Sequence, residues 1–237
     1  MANYLFHSAD SRGKANHGWL ESRHTFSFGS YFDPQRTSFG TLRVLNDDHV
    51  AAGMGFGTHS HDNMEIISIP LQGDLEHRDS MGNAEVIRNG DIQVMSAGTG
   101  ITHSEYNKSK EHPVKFLQIW VLPNQRNVEP RYDQLTLNPQ DRLNTFQQVI
   151  SPSPEDDGAW LHQDAWFSLA KFEDGMEKTY HVKGEGTGIY MFNLSGHITV
   201  DGHSLHDRDG LAITDTNEVT VKAVTEAEFL LMEVAMR

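Results

Sequence analysis

The chain has 237 residues, enough for one large all-β domain or for two units of about 100 to 130 residues each. Its 33 acids against 19 bases give a formal net charge of −14, and with no run of Lys and Arg anywhere this argues against nucleic-acid binding and against adsorption on anionic membranes. Cysteine is absent, so a disulfide framework and a thiolate metal site are excluded and any metal must sit on His, Asp or Glu.

The opening stretch "MANYLFHSADSRGKANHGWL" has no charged segment followed by a long apolar one, and does not read as a signal peptide. No stretch approaches the roughly 18 apolar residues of a membrane span. The expected location is cytoplasmic. Short alternating apolar runs then recur: "MEIISIPL", "DIQVM", "KFLQIWVL", "GIYMFNL" and "HITVDG". "DSMGN" and "RNGD" separate the early ones with residues that tolerate positive φ. This spacing predicts an all-β fold, a sandwich or a barrel.

After "QIWVLP" the composition shifts. Residues 123–145 hold three prolines and little apolar material, as a linker or crossover would. The expected division is residues 1–130 and 131–237. A weak repeat supports duplication of one β-barrel unit: "LQGDLEH" (71–77) is similar to "LSGHITV" (194–200), and "NGDIQV" (89–94) to "DGLAIT" (209–214).

Residues i and i+2 of a strand face the same side. His59 and His61 in "GFGTHSHDNMEI" have that spacing, and so do His103 and Glu105 in "SAGTGITHSEYN". If the two segments meet inside a barrel, three imidazoles and a carboxylate suit a divalent first-row metal with positions left for water, substrate or O₂. Glu65, four residues after His61, competes as a ligand and equally suits a structural role. Met95, Ile101 and Phe116 are candidates for an apolar pocket wall or for plain core.

These segments resemble a known family. From Gly53 the chain follows the first cupin motif: Gly, five residues, His59-x-His61, three residues, Glu65, and a Gly at 73, one residue late. The second motif begins at Gly90, with Ser96 in place of the usual proline and Asn107 after His103. More specifically, "HGWL", "RVLNDD", "GFGTHSHDNMEI", "DSMGN", "SAGTGITHSEYN" and "QIWVLP", spread over residues 17–123, resemble the pirin family and its bacterial quercetinase-like members. The resemblance implies a bicupin of two facing β-barrel (jelly-roll) domains with metal in the N-terminal one. Its ligands map onto His59, His61, His103 and Glu105, which demotes Glu65. Aligned from the repeat, Val182, Gly184, Ala223 and Thr225 take those places in the second half, which then has no metal site. Ser60 replaces the proline that many members have between the two histidines, which should keep the ligands while loosening their geometry.

For function, the same resemblance implies a metal-dependent dioxygenase that cleaves a flavonol such as quercetin with O₂ and releases carbon monoxide, with Glu105 as ligand and catalytic base. Iron(II) is the expected metal, with manganese, nickel, copper or cobalt as alternatives. The partners expected are a small aromatic, flavonol-like substrate and O₂, on a monomer that engages neither nucleic acid nor membrane. The alternative is an iron-containing regulator that senses redox state and acts through a protein partner.

Overall fold

The computed structural model describes residues 1–236. Among these the fold is all β, interrupted by two short 3-10 turns at Ala9–Ser11 and Pro139–Arg142. It consists of two barrels, each a seven-stranded sheet closed over by a four-stranded one.

In the first barrel the large sheet runs β12 (Arg131–Thr136), β9 (Asp91–Ser96), β6 (Glu65–Gln72), β11 (Val114–Val121), β4 (Leu42–Val50), β3 (Leu20–His24) and β2 (Gly13–Asn16). Its small sheet runs β5 (Gly55–His61), β10 (Ile101–Asn107), β7 (Leu75–Asp79) and β8 (Ala84–Ile87). The second barrel repeats the plan. Its large sheet runs β1 (Asn3–His7), β20 (Gly210–Thr214), β17 (Thr187–Ser195), β22 (Ala227–Ala235), β15 (Ala165–Phe172), β13 (Gln147–Ser151) and β14 (Ala159–Trp160). Its small sheet runs β16 (Glu177–His181), β21 (Glu218–Ala223), β18 (Ile198–Val200) and β19 (His203–Leu205).

The central strands are apolar runs because both faces of the large sheets are covered. On β6, Ile67 and Ile69 enter a core shared by the two barrels, while Ile66 and Ser68 turn into the first barrel. β11 divides likewise, with Leu117, Ile119 and Val121 in the shared core and Gln118 on the inner side. That shared core takes side chains from Phe26 to Val121 and from Val149 to Val234, so the barrels pack large sheet to large sheet.

Two edge strands cross between the halves. β1, at the start of the chain, pairs antiparallel with β20 in the second barrel, from Asn3 opposite Thr214 to His7 opposite Gly210. β12 lies within the stretch read as a linker, yet pairs along its whole length with β9 of the first barrel. The three prolines of the stretch, at 123, 130 and 139, all lie outside this strand and leave its ladder intact.

Candidate metal centre

β5 and β10 bring the two sequence pairs together. His59 stands opposite His103, but the next inward residue opposite Glu105 is Phe56, so β5 carries one extra residue at Gly57–Thr58. This bulge leaves Phe56, His59 and His61 on the inner side although their spacings are three and two. It also orients a ring: His59 Nδ1 lies 2.8 Å from the carbonyl of Gly57. A carbonyl only accepts, so Nδ1 carries the proton and Nε2 is left with its lone pair.

His103 is fixed by a longer relay. Asp79 Oδ2 accepts from His77 Nε2 at 3.1 Å, and His77 Nδ1 lies 3.5 Å from His103 Nδ1. With its one proton committed to Asp79, neutral His77 accepts at Nδ1, so His103 donates there and keeps a lone pair on Nε2. That Nε2 is buried without a partner. The rings of His59, His61 and His103 converge, with centroids 4.4 to 5.0 Å apart. Their ligating atoms lie within 4.8 Å of one another, and a second group within the same limit is His77, His103 and Glu105. Burial and the neighbouring imidazoles lower His103 to about 2, and burial chiefly lowers His61 to about 4. Neutral, close-set imidazoles with an orphaned lone pair are what a divalent cation would satisfy.

Glu105 is buried on the same inner face and linked to the histidines through His103. Gln118 Nε2 donates to its Oε2 at 2.8 Å. The Ser68 hydroxyl lies 3.2 Å from Glu105 Oε1 and 3.2 Å from Gln118 Oε1, and its single proton serves one of them at a time. Burial raises the carboxyl to about 7. A cation beside it would work in the opposite sense. Glu65 is elsewhere: on the outer side of β6 it accepts from Ser96 Oγ at 2.7 Å, with Arg131 and the His162 backbone among its neighbours. It ties the first barrel to the second half of the chain.

A cavity of about 300 Å³ opens beside the cluster, lined by His59, His61 and Glu105 and walled by Leu20, Phe28, Phe56 and Trp120. Trp120 meets His61 edge to face at 4.9 Å. Met95, Ile101 and Phe116 are core instead: Met95 and Ile101 pack with Ile66 and Ala97, and Phe116 with Leu20, Val50 and Leu75. Sequence reading missed His77, Asp79, Ser68 and Gln118. Of these, His77-x-Asp79 carries the same-face spacing of the other pairs and was legible; Ser68 and Gln118 arrive by strand register alone.

The second barrel shows what the same frame looks like without such a cluster. Aligning Gly73 with Gly196 and following the ladders, His77 opposite Glu105 corresponds to Val200 opposite Val221, and His103 opposite His59 to Val219 opposite Tyr180. His61 then corresponds to Val182. The register thus replaces the repeat-derived Val182, Gly184, Ala223 and Thr225 with Tyr180, Val182, Val219 and Val221, because sequence counting ignored the different loop lengths. Tyr180, Val200, Val219 and Val221 all belong to one apolar core.

Two jelly-roll barrels packed sheet to sheet, one with a His/Glu cluster at a cavity and the other filled with apolar side chains, define a bicupin with its candidate metal cluster in the N-terminal barrel. Residues 6–121 match the family model described as Pirin, and residues 148–234 that of the quercetinase C-terminal cupin domain. The chain is 42% identical over 226 residues to quercetin 2,3-dioxygenase of Escherichia coli, covering 95% of this chain and 96% of the relative. It is 37% identical over 227 residues to a pirin-like protein of Caulobacter vibrioides, covering 95% and 97%. The crystal structure of the bacterial pirin YhhW of E. coli in complex with nickel(II) superposes with a TM-score of 0.94 at 38% identity, over 99% of this chain and 100% of that one. The chain belongs to the pirin family, and within it to the quercetin 2,3-dioxygenase-like members. Among the described residues no helix is long and apolar enough to cross a membrane.

Proposed function

We propose that the protein is a cytoplasmic, monomeric, metal-dependent dioxygenase that opens a flavonol such as quercetin with O₂ and releases carbon monoxide. The observation that carries this reading is the orphaned, buried Nε2 of His103 converging with His59 and His61 at the wall of a cavity that Glu105 also lines. The nickel complex of a 38% identical pirin supports metal binding by this fold, and relatives named quercetin 2,3-dioxygenase support the substrate class. Iron(II) is the resident metal proposed, held by His59, His61, His103 and Glu105 in the N-terminal unit, residues 1–130, with residues 131–237 as a metal-free companion.

A divalent metal there would act as a Lewis acid on the flavonol 3-hydroxyl and supply the electronic route to O₂. The remaining work falls to side chains. Trp120, Phe56 and Phe28 hold the flat ring system and keep water from it. Glu105 receives the 3-hydroxyl proton, and Gln118 Nε2 holds the carboxylate in place as it does so. Atoms balance: flavonol and O₂ give a depside that keeps both added oxygens, while carbon monoxide carries off C3 with its own oxygen.

Anaerobic loading with iron(II), then quercetin and air, should give metal-dependent loss of flavonol absorbance with carbon monoxide trapped in equal amount. Glu105→Gln should retain part of its metal and lose turnover by about 100-fold or more. Tight iron binding with no carbon monoxide would overturn the dioxygenase reading in favour of an iron-containing redox regulator.

A further inference from the structure

The cavity has a second wall that this chemistry leaves unused. Ser22 and His24 on β3 stand opposite Asp48 and Asn46 on β4, and all four line the cavity. Each is buried, with 2% to 4% of its surface exposed. The ladder continues from Asn46 to Gln118 on β11 and Ser68 on β6, so a polar belt crosses the inner face of the large sheet and ends at Glu105. Inner faces of barrels are normally filled with apolar side chains, as in the second barrel.

A belt of this kind costs stability unless it is hydrogen-bonded, and two of its atoms are not. His24 Nδ1 and Asn46 Oδ1 are buried without partners. Ser22 Oγ donates to Asp48 Oδ1, so that pair is satisfied internally and presents a carboxyl edge to the cavity. Asn46 Oδ1 can only accept, so whatever sits against it must donate. An imidazole nitrogen accepts or donates according to tautomer, and a hydroxyl can meet either need. A carboxylate or phosphate on the ligand would set lone pairs against the unpartnered acceptor of Asn46. Phe28 meets His24 edge to face at 5.2 Å and lines the same cavity, which suits a flat ring carrying the hydroxyls.

We infer that Ser22, His24, Asn46 and Asp48 form a second subsite that recognises the hydroxyl-bearing edge of an uncharged aromatic ligand, at the β3–β4 wall and separate from the ligating histidines. The assignment rests on the flavonol reading, and deepens it: the 3-hydroxyl side goes to the cluster and a hydroxylated outer ring to the polar wall. The cavity volume of about 300 Å³ falls at the lower end of small-molecule sites, so the ligand spans both walls.

The test compares quercetin with galangin, which shares the 3-hydroxyl and the fused ring but lacks hydroxyls on the outer ring. Nickel-loaded protein, without O₂, is titrated with each by calorimetry, so binding is read apart from turnover. Native protein should prefer quercetin by about tenfold or more. Asn46→Leu and His24→Phe should reduce that preference to about twofold or less, with nickel content unchanged. Equal binding of both flavonols by native protein, or a preference that survives both substitutions, overturns the subsite and leaves the dioxygenase reading standing. Native protein that binds neither flavonol overturns the flavonol reading, and the subsite with it.

Discussion

Asp79, His77 and His103 each settle the protonation of the next, so a carboxylate remote from the cluster decides which nitrogen of His103 is free. His77→Phe or Asp79→Asn should weaken metal binding by about 10 to 100-fold while leaving the fold intact, read by competition with a metallochromic chelator. His59→Ala removes one of the proposed ligands and should drop metal content towards zero in purified protein, measured by elemental analysis. Asp48 gives a pH signature of its own, since burial raises its carboxyl from 3.8 to about 7. Between about pH 4 and 7 the unfolded chain has lost this proton and the folded protein keeps it, so Asp48 makes stability fall as pH rises, by up to about 1.4 kcal/mol per unit. Asp48→Asn removes that dependence. The melting temperature of metal-free Asp48→Asn, relative to native protein, should climb from pH 4 to 7 and level off above; a gap constant across that range would show that Asp48 ionises as readily folded as unfolded.

At the scale of strands, the bulge in β5 separates what was legible from what was not. The His59/His61 and His103/Glu105 pairs could be read because two-residue spacing means one face. The extra residue at Gly57–Thr58, which also turns Phe56 inward, has no such signature, and it depends on a close approach between strands. A Cβ on Gly55 would fall 2.3 Å from the Glu105 carbonyl and 2.5 Å from Tyr106 Cα, both backbone atoms that cannot yield alone. Gly55→Ala should therefore push β5 off β10, costing about 1–3 kcal/mol in thermal unfolding and lowering metal affinity with it. Gly98, in the "SAGTG" turn before His103, is bound in the same way, with φ +48° and the Val128 carbonyl 2.1 Å from where a Cβ would lie. The polar belt was invisible for a different reason: Ser22, Asn46, Ser68 and Gln118 are far apart in sequence, and only the ladder order of four strands lines them up. Met95, Ile101 and Phe116 have the hydrophobicity of a pocket wall, but hydrophobicity does not say which side of a sheet faces a void.

Across the whole molecule, an edge strand from the start of the chain joins the barrels alongside their shared core. β1 caps β20, His7 Nδ1 meets the Tyr190 hydroxyl at 2.8 Å beneath it, and Asp47 of the first barrel takes Arg12 at 3.4 Å and Arg208 at 3.0 Å. Removing residues 1–11 should lower the melting temperature by about 5–10 °C and promote concentration-dependent self-association through the bared edge of β20, seen by size-exclusion chromatography. The alternation of short strands was enough to read all-β architecture, and the repeat enough to read duplication; that the second barrel takes β1 from the far end of the chain is a long-range pairing that no local pattern announces. That pairing also sets an order of events during synthesis. At roughly 5–20 residues per second, β1 leaves the ribosome about 10–40 seconds before β20 exists to receive it. The strand ladders of the first barrel are complete at Thr136, so His59, His61 and His103 can come together while the second barrel, which covers the outer face of its large sheet, is still unmade. Closure of the histidine cluster in the nascent chain would then precede the docking of the strand made first.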